Sequence, residues 1–313
     1  MTLDAPPPSD RNRMDHDTTI AATVPPRLGA SPGLAPYLLS APALAVLATL
    51  LVVPLVATAL LSLHSFSLYK GIENVYNFRN YADIFSDPYF YRIYARTFRI
   101  ALIVTVLAVL LGAPEAYILN RMRDPWRRIC LLLVLGPLFI SIVSRTLGWA
   151  LLFGSTGVVN QALMAVGAID SPLQFMYSET GVVIALTHVL VPFVVISVWA
   201  SLRRLDPHVE NAAVSLGAGP ATVLRRIVLP QVMPGVLSGA IIVFALAASA
   251  FATPAIIGGR RLQVAATLAY DEFLNTLNWP LGAAIAVLLV VANVVIVVGC
   301  NRLIERRYAR VFE

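Results

Sequence analysis

Residues 211–230 read Asn211-Ala-Ala-Val-Ser-Leu-Gly217-Ala-Gly-Pro220-Ala-Thr-Val-Leu-Arg225-Arg-Ile-Val-Leu-Pro230, between two long apolar runs. Asp206-Pro207 ends the preceding run, and proline suits the first turn of a helix because its missing N–H has no partner there in any case. Residues 208–216 therefore predict a short helix with Ala212 and Ala213 on its surface, where small side chains permit close backbone approach. Gly217 and Gly219 permit a turn that a Cβ resists. Pro220 opens a second helix with Val223, Leu224, Ile227 and Val228 at helical spacing and Arg225 and Arg226 opposite. Pro230 and Pro234 are expected to end it and redirect the chain. On these grounds alone the stretch reads equally as a docking plug or as an amphipathic interfacial loop.

The rest of the chain is built for lipid. Only 13% of its 313 residues are charged and 58% are hydrophobic, against about 25% charged in a soluble domain. Six segments can cross a hydrocarbon core of ~30 Å: about 37–63, 97–120, 129–153, 180–201, 233–256 and 281–303. Helix is the expected form, since an open strand in lipid leaves its backbone unsatisfied. The fold class is thus an all-α polytopic membrane protein with six transmembrane helices.

The net charge of +6 does not point to nucleic acid, because the arginines gather at the ends of apolar runs. Fifteen lie on one side: Arg11, Arg13, Arg27, Arg121, Arg123, Arg127, Arg128, Arg203, Arg204, Arg225, Arg226, Arg302, Arg306, Arg307 and Arg310. Six basic residues lie on the other. The positive-inside rule then places both termini and the quoted stretch in the cytoplasm. Residues 1–36, rich in proline and lacking an apolar core, read as a disordered cytoplasmic tail, 37–303 as the six-span domain with a cytoplasmic loop at 202–232, and 304–313 as a C-terminal tail. Internal repeats are not apparent.

Catalytic chemistry is not signalled. The sole lysine, Lys70, follows Ser67-Leu68-Tyr69 with no glycine-rich turn, so a Walker site is missing. His16, His64, His188 and His208 lack metal-ligand spacing, and Cys130 and Cys300 read as apolar packing residues.

In its spacing the quoted stretch resembles the signature loop of permease subunits of ABC importers: Glu-Ala-Ala, three residues, Gly, nine residues, Ile, one residue, Leu-Pro. Ala212, Ala213, Gly217, Ile227, Leu229 and Pro230 fall in register, while Asn211 stands where the family has glutamate and Glu210 lies one residue earlier. Ser144-Arg145-Thr-Leu-Gly-Trp149, Gly157-Val-Val-Asn160, Phe251-Ala-Thr-Pro254 with Gly258-Gly259, and Asn278-Trp279-Pro280-Leu-Gly-Ala are similar to the spermidine/putrescine-type branch. Neighbouring branches handle sulfate, ferric iron or phosphonates.

The resemblance implies the type I importer permease fold in a bacterial inner membrane. It also implies a second homologous permease, two ATP-binding cassette subunits and an extracytoplasmic solute-binding protein. No cofactor is expected in this chain, ATP and Mg being bound by the partner ATPase. Coupling to that ATPase is expected of Glu210, Asn211, Ala212, Ala213, Gly217, Ile227, Leu229 and Pro230. The alternatives are an autonomous secondary transporter and, with nothing in its favour, a membrane enzyme.

Candidates for the solute path are Glu115, Arg145, Trp149, Ser249, Phe251 and Thr253. A charge inside a span must face protein or water, so Arg145 reads as a carbonyl anchor or as a cation–π partner of Trp149. Glu115 reads as a counter-charge for a cation or as the partner of Arg121 or Arg123. Ser249, Phe251, Thr253 and Pro254 interrupt the fifth span, and Gly235-Val-Leu-Ser-Gly239 fits a close helix contact. Asp271, Glu272, Asn278 and Trp279 fall in the last outer loop.

Overall fold

A computed structural model describes residues 35–67 and 69–308. The tail expected at 1–36 and the C-terminal tail expected from 304 fall largely outside the described residues. Two compact units make up the chain, residues 1–53 and 54–313. Helix α1 (Ala35–Leu61) begins in the first and ends in the second. Among the described residues six helical stretches are long and apolar enough to span a membrane: Ser40–Leu61, Pro88–Arg121, Ile142–Ala165, Glu179–Leu202, Pro220–Ala248 and Trp279–Leu303.

After α1 comes a short hairpin, β1 (His64–Ser67) and β2 (Gly71–Tyr76), antiparallel with Ser67 opposite Gly71. From the sequence this region reads as the first outer loop, so the hairpin is added structure within it. The strands are rich in aromatic and β-branched side chains, and Gly71 supplies the positive φ of +72° needed to turn them. Helix α2 (Arg79–Ser86) follows, and buried Asn80 donates to the carbonyls of Ser62 and His64, fixing it to the hairpin.

Helix α3 (Pro88–Arg121) starts cleanly because Asp87 accepts from the Tyr89 N–H at 2.7 Å and Pro88 fills the first turn. The third apolar segment departs from the continuous helix expected at 129–153. Helix α4 (Trp126–Leu135) is too short to cross; a 3₁₀ turn at Gly136–Phe139 and extended backbone at Ile140 and Ser141 separate it from α5 (Ile142–Phe153) and α6 (Val158–Ala165). Pro137 is the cause, since it brings no N–H to the helix ladder. Asn160, fully buried, ties the turn after α6 by donating to the Gly154 and Leu173 carbonyls and accepting from the Leu173 N–H.

Helix α7 (Glu179–Leu202), capped by Ser178, is the most buried span and packs between α3 and the fifth span. Helix α8 (Pro207–Ser215) is capped by Asp206, as its sequence predicts. Helix α9 (Pro220–Val223) then runs without a stop through a π turn at Leu224–Val228 into α10 (Leu229–Ala248). Pro230 and Pro234 thus do not end the helix. Proline clashes with the carbonyl four residues back, and the wider π turn, closed by Leu229 N–H to Leu224 O, spreads the backbone beside Pro230. The same turn leaves Leu224 exposed and buries Val223 and Val228, five residues apart.

Contact between α7 and its neighbours depends on glycine. A Cβ at Gly112 of α3 would meet Val194 Cβ at 3.0 Å, one at Gly235 of α10 would meet the Ser197 carbonyl at 2.8 Å, and one at Gly239 would meet Val194 Cα at 3.1 Å. The close approach expected of Gly235-Val-Leu-Ser-Gly239 is therefore the seam between α10 and α7. The fifth span ends at Ala248, short of the expected 256; a second π turn (Pro254–Gly258) follows, then α11 (Ala265–Leu274) and α12 (Trp279–Tyr308). Ile84, Ile93, Leu268 and Ile285 form a second small core among α2, α3, α11 and α12.

Candidate functional site

Two places gather the residues that the sequence singles out. The first is the hook made by α8, the Gly217 turn and α9. Gly217 has φ +84°, a conformation that other residues adopt at a cost, whereas Gly219 has an ordinary negative φ. A Cβ at Gly217 would meet nothing within 4 Å, so glycine is needed for backbone shape and not for space.

Glu210 turns inward and pairs with Arg121 at the end of α3, and the Arg121 guanidinium lies 5.1 Å from the Tyr117 ring centroid. Asn211, with Arg121, Arg203 and Glu210, lines a 330 Å³ cleft between α3 and α8. Ala212, Val214 and Leu216 are exposed, Leu216 by 88%, while Ala213 and Ile227 are half-buried and Leu229 and Pro230 exposed. The hook thus presents small and apolar side chains outward and keeps its acid for an internal partner.

The second place is a 920 Å³ cavity between α3, α4 and α7, walled by Leu107, Leu111, Ile118, Leu133 and Ile184 among others. Glu115 and His188 line it, and Glu115 has neither an ion pair nor a hydrogen bond among the described residues. The alternative expected for Glu115, pairing with Arg121 or Arg123, is not realised, because Glu210 has taken Arg121.

Arg145 sits at the rim. Its Nη1 donates to the carbonyl of Pro137, where the helix is broken, and its Nε is buried without a partner. That fulfils the carbonyl-anchor reading. Stacking on Trp149 does not occur: Trp149 packs against Phe153 at 4.8 Å and sends its Nε1–H toward His188 Nδ1 at 3.4 Å. The interruption after the fifth span is a separate place. Ser249 donates to Ala245 O, Phe251 lies 4.7 Å from the Tyr270 ring, and Thr253 is buried with its hydroxyl 3.3 Å from that of Thr146.

The outer-loop carboxylates are similarly occupied: Asp271 accepts from Gln263 Nε2 at 2.7 Å and Glu272 from Thr276. Cys130 and Cys300 are free thiols. Sequence reasoning did not foresee the cavity or the placing of Thr187 on its wall, because both depend on the break at Pro137. A proline followed by Arg145 eight residues later, one losing a helix bond and the other able to donate to a carbonyl, was the available signal.

Apolar helical spans packed closely at a glycine-lined seam of α3, α7 and α10, with a protruding small-residue hook, describe a polytopic membrane protein. The chain belongs to the family described as binding-protein-dependent transport system inner membrane component, which it matches over residues 105–310. It is accordingly a multi-pass inner-membrane permease subunit of the ABC importer class.

It is 30% identical over 239 residues to the spermidine/putrescine transport system permease protein PotB of Salmonella typhimurium (strain SL1344), covering 76% of this chain and 81% of that one. Identity to the molybdenum transport system permease protein ModB of Mycobacterium bovis is 35% over 196 residues, covering 62% and 72%. In fold it is similar to a chain of a bacterial ABC transporter involved in import of the acidic polysaccharide alginate, with TM-score 0.70, 20% identity and coverage of 87% of this chain and 95% of that one.

Proposed function

We propose that this permease carries a polyamine across the membrane under the drive of a partner ATPase. The single observation behind the coupling role is the hook: family spacing from Ala212 to Pro230, a fixed turn at Gly217, and an exposed outward face of Ala212, Val214 and Leu216 that nothing covers among the described residues. Such a face suits a cleft in another protein. The solute assignment is supported by the 30% identity to a spermidine/putrescine permease along three-quarters of the chain.

In this reading both termini and the loop 202–232 are cytoplasmic, with tails at 1–36 and 304–313. Two ATP-binding cassette subunits hold ATP and Mg beneath the hook, a second homologous permease completes the path, and a binding protein delivers solute from outside. Glu210 is a brace to Arg121 and not a contact for the ATPase, and Asn211 offers a neutral hydrogen-bonding group in place of the family's charge. Ala213, Gly217, Ile227, Leu229 and Pro230 shape the docking element. Of the path candidates, Glu115, Trp149, Ser249 and Phe251 keep that role, whereas Arg145 and Thr253 serve as internal ties.

The test is purification of the full chain from its native membrane, with uptake measured in proteoliposomes. ATP-dependent accumulation of labelled spermidine or putrescine, with an ATPase and a second permease in the complex, is the expected result. Accumulation by this chain alone under an ion gradient would overturn it. An oxyanion solute is the competing reading, favoured by identity to the molybdenum permease. Calorimetry of the cognate binding protein with polyamines and with molybdate separates the two.

A further inference from the structure

The cavity between α3, α4 and α7 is walled almost entirely by hydrocarbon, and Glu115 is the one charged side chain lining it among the described residues. Keeping a carboxylate there without a partner is costly unless a cation is supplied from elsewhere. A second polar group is also unfulfilled. Thr187 is 5% exposed, lines the same cavity, and its Oγ1 is buried with no hydrogen-bond partner, although a threonine in a helix ordinarily donates to the carbonyl one turn back. His188 is not free to accept beside it, since Nδ1 already faces the Trp149 N–H and Nε2 carries the ring proton in the neutral form.

Helix geometry gives the separation of the two groups. Arg99 pairs with Glu179 near the start of α7, and Gly112 lies against Val191 and Val194 further along, so α3 and α7 run side by side in the same direction. At 1.5 Å per residue, Glu115 then lies about 12 Å nearer the α8 end than Thr187. Between them the wall is Leu110, Leu111, Pro114 and Val191. The Arg145 guanidinium, held at the Pro137 carbonyl, places positive charge at the Thr187 end and leaves the Glu115 end negative.

We infer that this groove is the chain's own solute subsite, built for a linear alkylammonium: Glu115 receives an ammonium group, Thr187 Oγ1 accepts from an N–H further out, and the leucines cover the methylenes between. The shape of the groove disfavours a small hydrated cation, which gains nothing from apolar walls, and Glu115 repels an oxyanion at its own end. The inference rests on the polyamine reading above and adds the residues that select within it.

Cys130, half-buried in the same wall, is a native reporter. In the complete importer carrying Cys300→Ser, spermidine is expected to slow maleimide modification of Cys130, read on this chain by mass spectrometry. Glu115→Gln should abolish that protection and raise the transport KM for spermidine about tenfold or more, the scale of losing a hydrogen bond to a charged group. Thr187→Val should raise KM by a smaller factor, and Glu115→Asp should restore most of the loss, which ties the effect to the carboxylate, while an unchanged yield of assembled importer shows that the Gln variant is folded. If spermidine is transported yet neither the KM nor Cys130 protection depends on Glu115, the subsite is wrong. If the unmodified importer takes up no polyamine at all, the solute reading itself fails.

Discussion

Glycine does different work in the seam and in the hook. Along α7, Gly112, Gly235 and Gly239 stand where a Cβ would strike Val194 or the Ser197 backbone, all with ordinary helical geometry. In the hook, Gly217 has open space around it and a backbone that only glycine adopts freely. The seam is thus close-packed in the way of a protein interior, where added volume is felt at once. The hook has its shape set by one dihedral and its surface left open. The seam is a fixed body, and the hook is a handle projecting from it.

Substitution can break that contrast. Gly235→Leu is expected to have the largest effect, a loss of about 3 kcal/mol or more through overpacking against Ser197 and Ser201, seen as a fall in thermal midpoint in detergent. Gly217→Ala should cost about 1 kcal/mol from the left-handed backbone alone, with faster hydrogen exchange confined to 207–223. An effect of crowding at Gly217 would show as a much larger loss for Gly217→Val than for Gly217→Ala, and none is expected within the isolated chain. Glu210→Gln removes a partly exposed ion pair and should lower stability by only about 0.5 kcal/mol, with a double-mutant cycle against Arg121→Ala giving a coupling of the same size. Ala212→Gln should shift stability by less than about 0.5 kcal/mol. It should nevertheless weaken retention of the ATPase in purified complexes. Unaltered retention would remove the docking role from the exposed face of α8.

Much of this contrast was legible in the sequence. Apolar run lengths gave the six spans, Asp206-Pro207 gave the start of α8, and Gly235 with Gly239 gave the seam. Errors gathered at proline. Pro137 splits a run that composition presents as one helix, while Pro230 leaves intact a helix that composition ends. The outcome turns on whether the neighbouring backbone can widen into a π turn or must extend, which is a property of packing and not of the residue. Partner choice was equally hidden. The sequence offers only Glu115 as a nearby acid for Arg121, whereas Glu210, 89 residues away, takes it because α8 lies against the end of α3. The hairpin at His64–Tyr76 was hidden for another reason: its strands are four and six residues long, too short for hydropathy run length to register.

Because the π turn at Leu224–Val228 carries the helix past Pro230, the segment from Pro220 to Ala248 is a single shaft of 29 residues. At 1.5 Å per residue it is about 43 Å long, enough to reach from below one headgroup layer to the far side of the bilayer. A continuous helix of that kind passes a displacement at one end on to the other. Whatever tips Pro220 tips Ala248 the other way, with the turning point where Gly235 and Gly239 meet α7.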